Sequence, residues 1–293
     1  MFHLKTKTML KRNLVRTSLF SPLLLLLFPV VTAMRADSKG SFHEKPIYIN
    51  WQKAESLIAE PNGTIATTLY ANAPEISLNK HASKFVKSFL VREDEDLQKT
   101  RARSASYFEM MNTIFTKYGL PVELRYLAVV ESDLKTTAVS RVGAKGLWQF
   151  MPQTARDLGL KVSSKYDERK YAYKSTVAAA KYLKDLYGQF GDWLLVIAAY
   201  NSGPLPVMKA IKRTGSKNFW AIQSYLPMES RFHVKRFIGI HYYFEGKGSL
   251  VTMTKSETTK YMNDLEAFKA SILPIETKKD SAVAITMKTV QRS

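Results

Sequence analysis

The sequence predicts an all-α fold, and three features carry that expectation. Apolar residues recur at three- and four-residue spacing from Ala102 to Tyr118 (Phe108, Met111, Ile114, Phe115, Tyr118) and from Ser175 to Tyr187 (Ala179, Tyr182, Leu183, Leu186, Tyr187), which is the period of one helix face. The segment Trp193 to Tyr200 is apolar nearly all round, as expected of a helix through the middle of a bundle. Glycine and proline fall at the segment ends, as in Gly119-Leu120-Pro121 and Asn201-Ser202-Gly203-Pro204. There a C-cap glycine closes one helix and proline suits the first turn of the next.

At the N-terminus, Lys5, Lys7, Lys11, Arg12 and Arg16 precede an apolar run from Leu19 to Val31, and Val31-Thr32-Ala33 supplies small residues for cleavage. This is the pattern of a signal peptide over residues 1–33. The run is short for a membrane span, so no stable span is expected after cleavage; an uncleaved anchor is the alternative. Cleavage would lower the formal net charge of +19 by five. The exported chain would remain basic, suited to anionic envelope polymers, although a merely solvated basic surface accounts for the charge as well. No arginine-rich arm or zinc-finger spacing occurs, and no nucleic-acid partner is expected. The chain has no cysteine, so disulfides, thiolate metal sites and a lipid-bearing N-terminal Cys are not expected.

Residues 34–76 read as a weakly structured extension, with Ile47-Tyr48-Ile49 and Ile65 to Tyr70 as short apolar pieces among Pro46, Pro61 and Pro74. They hold at most one short strand or helix. Ser77 to Leu90 reads as a helix through Phe85, Val86, Phe89 and Leu90, and the charged run Arg92 to Asp96 reads as a solvated turn. Pro121 to Glu131 is the next helix after Ala102 to Tyr118. A turn-rich loop follows to Met151, then a short helix from Pro152 or Thr154 that ends at Leu158-Gly159-Leu160. Asp167-Glu168-Arg169 marks an exposed turn. The closing helix runs to about Phe244; beyond Gly246, Tyr261 to Leu273 reads as one more helix and Ala282 to Val290 as a short strand.

One residue breaks the helical pattern. The stripe Leu124, Leu127, Ala128 calls for a hydrophobe at position 131, and the sequence supplies Glu131. A carboxylate against an apolar face has its charged form disfavoured and can stay protonated near neutral pH, which is how a general acid is made. The alternative ends the helix at Val130 and turns Glu131 to water. After it come Ser132, Ser140, Gly143 and Gly146, then Trp148-Gln149-Phe150-Met151-Pro152. Small residues let backbone approach a ligand. Gln149 offers a donor and an acceptor to sugar hydroxyls or acetamides, and Trp148 and Met151 offer apolar surface to sugar faces.

This stretch, E-S followed by S at nine residues and then G-A-K-G-L-W-Q-F-M-P, closely resembles the catalytic motif of the lytic transglycosylases of soluble-lytic-transglycosylase, goose-type lysozyme-like fold. Two further elements extend the resemblance. A-A-Y-N-S-G, containing Tyr200 and Asn201, is similar to the family's A-Y-N-A-G, and Leu226-Pro227-Met228-Glu229-Ser230-Arg231 to its L-P-x-E-T-R. By residue chemistry alone, Tyr200 and Asn201 bring a phenol and an amide to one helix end, or else form an Asn C-cap over a packed tyrosine. Glu229 alone would be a helix-dipole partner. The resemblance implies a lysozyme-like catalytic domain over 77–245 with a C-terminal extension over 246–293. It implies Glu131 as the catalytic acid and Ser140, Gln149, Met151, Tyr200, Asn201 and Glu229 as substrate-binding residues. Where the family usually has tyrosine four residues after this glutamate, the chain has His233.

The implied substrate is the peptidoglycan glycan strand, and no cofactor or metal is expected. The five histidines make no H-E-x-x-H, and neither G-x-S-x-G nor a phosphate-binding glycine loop occurs. Ordinary glycosidases need two carboxylates; Glu123 lies roughly 12 Å along the helix from Glu131, and Asp133 sits across the helix end. A single acid suits a different route, and the resemblance implies that this route is intramolecular and ends in 1,6-anhydromuramic acid. A hydrolytic muramidase on the same fold, and a non-catalytic wall-binding scaffold, are the rival readings.

Overall fold

The computed structural model describes residues 72–290, with side chains to Ile272. The expected signal peptide and the extension up to residue 71 lie outside the described residues. The helices are α1 (Lys80–Ala102), α2 (Ala105–Tyr118), α3 (Tyr126–Ser132), α4 (Pro152–Asp157), α5 (Ala172–Phe190), α6 (Trp193–Ser202), α7 (Pro204–Thr214), α8 (Phe219–Ile222), α9 (Met228–Glu245) and α10 (Lys255–Val290). Short 3-10 turns precede α3 and α5 and link α8 to α9 and α9 to α10. Among the described residues no strand forms, only three isolated bridges, two within the loop 133–151 and one at Val162–Asp167. The all-α expectation therefore holds. No described helix is long and apolar enough to cross a membrane.

Helix α6 is the centre of the fold. Every residue from Trp193 to Ala199 is buried, and α5, α7 and α9 pack around it. A helix apolar on all sides can satisfy its surface only when surrounded. Truncating fully buried Leu195 to alanine would cost about 2–5 kcal/mol. Asp192 starts this helix: its carboxylate accepts from the backbone N–H of Leu195 at 3.1 Å and, across the fold, from that of Lys255 at 2.7 Å. One buried side chain thus caps α6 and docks the start of α10. Helices α1 and α9 meet at Gly239, where an added Cβ would lie 2.7 Å from the ring of Phe89. Hydrogen cannot be replaced there without moving that ring.

Four local expectations change. The charged run Arg92 to Asp96 is not a turn but the middle of α1. Phe89 and Leu97 are buried on either side of it, and pairs at helical spacing such as Glu95 with Lys99 at 2.6 Å hold the exposed face. In Asp167-Glu168-Arg169, Glu168 and Arg169 are buried rather than exposed. The segment expected as a strand, 282–290, is the end of α10. Asn201 does not cap a helix, because α6 continues to Ser202 and α7 begins directly after Gly203.

Candidate active site

Helix α3 continues past Val130 to Ser132, so position 131 is helical. Leu124, Leu127 and Ala128 are fully buried, and the Glu131 side chain, next on the same stripe, is only 14% exposed. The apolar-face expectation holds, and the water-facing alternative does not. Both ends of α3 are fixed. At its start Arg125 donates to Asn112 Oδ1 at 2.7 Å and to Glu245 at 3.0 Å, and Tyr126 donates its hydroxyl to the same Glu245 carboxylate at the end of α9. Burial, then the Glu245 carboxylate, pushes the Tyr126 phenol well above its usual range. At the other end Asp133 and Leu134 adopt left-handed backbone (φ 51 and 62). The Asp133 carbonyl accepts from Arg103 at 2.9 and 2.6 Å. The Asp133 side chain is exposed beside Lys135.

The loop from Asp133 to Met151 is held through its carbonyl groups. Ser132 donates its hydroxyl to Leu147 O at 2.9 Å. Arg169, 3% exposed, donates to Gly143 O and Phe150 O at 2.8 and 2.9 Å. Asp167, whose carboxyl is held down at about 2 chiefly by Arg169, pairs with that guanidinium at 2.7 Å. Gly146 (φ 80) passes so close to this element that a Cβ would meet Arg169 O at 1.9 Å. The glycine is required here by approach as well as by torsion.

Ser140 closes its own turn: its Oγ accepts from Ala144 N at 2.9 Å and its N–H donates to Ala144 O at 2.9 Å. Gln149 sits at φ 46 with its Nε2 tied to Gly146 O at 2.9 Å and Ala138 O at 3.3 Å, so its amide oxygen is the group left for a ligand. Met151 is exposed at the cap of α4. Trp148 is not a sugar platform. It is fully buried, with Nε1 donating to Thr176 Oγ1 at 3.0 Å.

Tyr200 donates its hydroxyl to Trp148 O at 2.8 Å, and its ring lies against Phe150 and Tyr182. Burial first, and then the charge of Glu131, hold its phenol well above the ordinary range. Tyr200 therefore adjoins Glu131 and stays neutral, but its hydroxyl is committed to the loop. Asn201 accepts from Ser230 Oγ at 2.8 Å, which brings the end of α6 against the first turn of α9. Glu229, half-buried, occupies that turn. Helix α9 also supplies the partner that sequence reasoning missed: His233 Nε2 lies 2.9 Å from Glu131 Oε1. The only signal for it was the departure from the expected tyrosine.

Fold and site together define an all-α domain in which α3, α6 and α9 converge on one protected carboxylate. Residues 110–223, from α2 into the turn after α8, match the model of the transglycosylase SLT domain. Over 155 residues the chain is 37% identical to membrane-bound lytic murein transglycosylase D of Escherichia coli (strain K12), covering 51% of this chain and 34% of that protein. Over 117 residues it is 37% identical to a putative tributyltin chloride resistance protein of Alteromonas sp., covering 40% of this chain and 56% of that protein. A crystal structure of lytic transglycosylase Slt from Pseudomonas aeruginosa aligns with a TM-score of 0.44 at 23% identity, covering 52% of this chain and 27% of that one. The chain thus spans about a third of the length of the first of these relatives.

Proposed function

We propose that the protein is a lytic transglycosylase that cleaves the β-1,4 bond between N-acetylmuramic acid and N-acetylglucosamine in peptidoglycan. The observation that carries this reading is Glu131: a single carboxylate, 14% exposed, on the apolar stripe of a helix fixed at both ends. In the proposed reaction Glu131 gives its proton to the glycosidic oxygen as the bond from C1 to that oxygen breaks, assisted by the substrate's acetamide. The resulting carboxylate takes the proton from the muramoyl C6 hydroxyl, and O6 bonds to C1. The product is a 1,6-anhydromuramoyl end, and no water is consumed. Tethered attack gains the high effective molarity of an internal nucleophile.

The remaining assignments support this chemistry. Gln149, through its amide oxygen, Asn201, through its amide nitrogen, and Glu229 and Met151 bind the glycan. Tyr200 and Ser140 hold the loop that presents them. The catalytic unit is taken as 77–245, and the N-terminal segment directs export to the cell envelope, where glycan strands and anionic polymers are the partners. Mass spectrometry of purified peptidoglycan digested by the protein tests the reading, with Glu131→Gln alongside. Products lighter by one water than hydrolysed muropeptides, absent with the variant, are the expected result. Reducing-end products would replace it with a hydrolase, and no products from folded protein with a scaffold.

A further inference from the structure

The imidazole beside the acid is unevenly partnered. His233 Nε2 lies 2.9 Å from Glu131 Oε1, and the ring is 3% exposed. Its other nitrogen, Nδ1, is buried and meets no hydrogen-bond partner. Glu131 Oε2 makes no hydrogen bond among the described residues, so the two carboxyl oxygens differ in surroundings.

Three placements of the protons are open to such a pair. With a proton on Nδ1, as in the other neutral tautomer or in imidazolium, a buried N–H is left without an acceptor, the rarer and costlier kind of orphan. Imidazolium would also add a cation near Arg231, Lys235 and Arg236 on its own helix. Helix α1 faces α9 with Phe85 and Phe89, which offer no counter-charge. On α6, Tyr200, which adjoins Glu131, is neutral. Glu229, one turn earlier on α9, and Glu131 on α3 are the acids nearby, and Glu131 is engaged at Nε2. The remaining placement has a bare Nδ1 and an Nε2–H that donates to Oε1.

We propose that His233 is the positioning residue of this site: fixed as the Nε2–H tautomer, it occupies Oε1 of Glu131 as an acceptor and so assigns the working proton to Oε2. The same oxygen then releases the proton to the leaving group and recovers it from the attacking hydroxyl, without rotation of the carboxyl group. The proposal rests on Glu131 being the acid of the reaction argued above.

Two measurements test it, and they separate its failure from that of the underlying reading. In full-length protein labelled with 15N-histidine, long-range 1H–15N correlation spectra from pH 5 to pH 8 report the tautomer of each ring. The His233 signals are assigned by their loss in His233→Gln. A bare Nδ1 with protonated Nε2 at pH 7 is expected; an Nδ1–H tautomer or imidazolium at that pH overturns the proposal, whatever the protein's reaction. In the kinetic arm, His233→Phe, which lacks the donor, lowers kcat by about 100-fold with KM within about 2-fold. His233→Gln, which restores an N–H donor, recovers about 10-fold of that loss. Unchanged kcat in the phenylalanine variant, or an effect on KM alone, overturns it. Should wild-type protein release no anhydro product, the functional reading fails, while the spectra still decide the tautomer. Should both variants unfold, the His233 signals are assigned by elimination, through single glutamine substitutions of the other four histidines, and the wild-type spectra then decide.

Discussion

Ser230 donates its hydroxyl to the Asn201 amide oxygen at 2.8 Å and is itself fully buried. This bond joins the end of the central helix α6 to the first turn of α9, the helix that also carries Glu229 and His233. Two motifs separated along the chain thereby form one wall of the site. Ser230→Ala should cost about 1 kcal/mol of stability. A double-mutant cycle with Asn201→Ala, read by urea denaturation, should return a coupling energy of about 1 kcal/mol. Additive effects would mean that the two ends are positioned independently.

Tyr200→Phe removes one hydroxyl and leaves the ring packing intact. The carbonyl of Trp148 loses its donor, at a cost of about 1–2 kcal/mol. Because that carbonyl belongs to the loop bearing Gln149, turnover of peptidoglycan should fall about 10-fold. A shift in melting temperature with full turnover would confine Tyr200 to packing.

Gly146→Ala should be among the most damaging small substitutions in the chain. Its Cβ would overlap the Arg169 backbone, and φ of 80° disfavours any side chain. A loss of about 2 kcal/mol or more is expected, with loss of turnover, by thermal denaturation and product release. Near-wild-type stability would show that the Arg169 segment can yield.

Asp192 gives the fold a pH dependence of definite sign. Burial pushes its carboxyl up to about 6, the Glu257 charge adds to this, and the N–H groups of Lys255, Leu195 and Leu194 oppose it. Between the unfolded value near 4 and the folded one, the native state binds more protons, so this group's contribution to stability falls as pH rises. From pH 4 to pH 7 the advantage of wild type over Asp192→Asn should narrow by about 2 kcal/mol. Denaturant midpoints at four pH values check this; an advantage that widens with pH would contradict it.

Glu131 was legible because its neighbours Leu124, Leu127 and Ala128 set a helical register that its own chemistry violates. Residues that act through local pattern, such as Gly146 and the apolar helix α6, were legible in the same way. His233 was not, because it lies 102 positions from its partner, and one imidazole in a helix carries no mark of what it faces. Trp148 was misassigned since a loop tryptophan suits a sugar ring and a core equally well; only its Nε1 bond to Thr176 settles which. The charged middle of α1 misled through its charge density, although its four-residue spacing was present all along.

The Arg169 guanidinium, buried with Asp167 and bound to carbonyls on both sides of the Gly146 turn, has a consequence for how the protein meets a polymer. A loop of this length left free would lose conformational entropy at every encounter with substrate. Here that loss is incurred once, during folding, so that any ligand meets a surface already ordered. Under the proposed reaction, the binding free energy of distant sugar units would then be available to distort the bond being broken rather than to organise the enzyme.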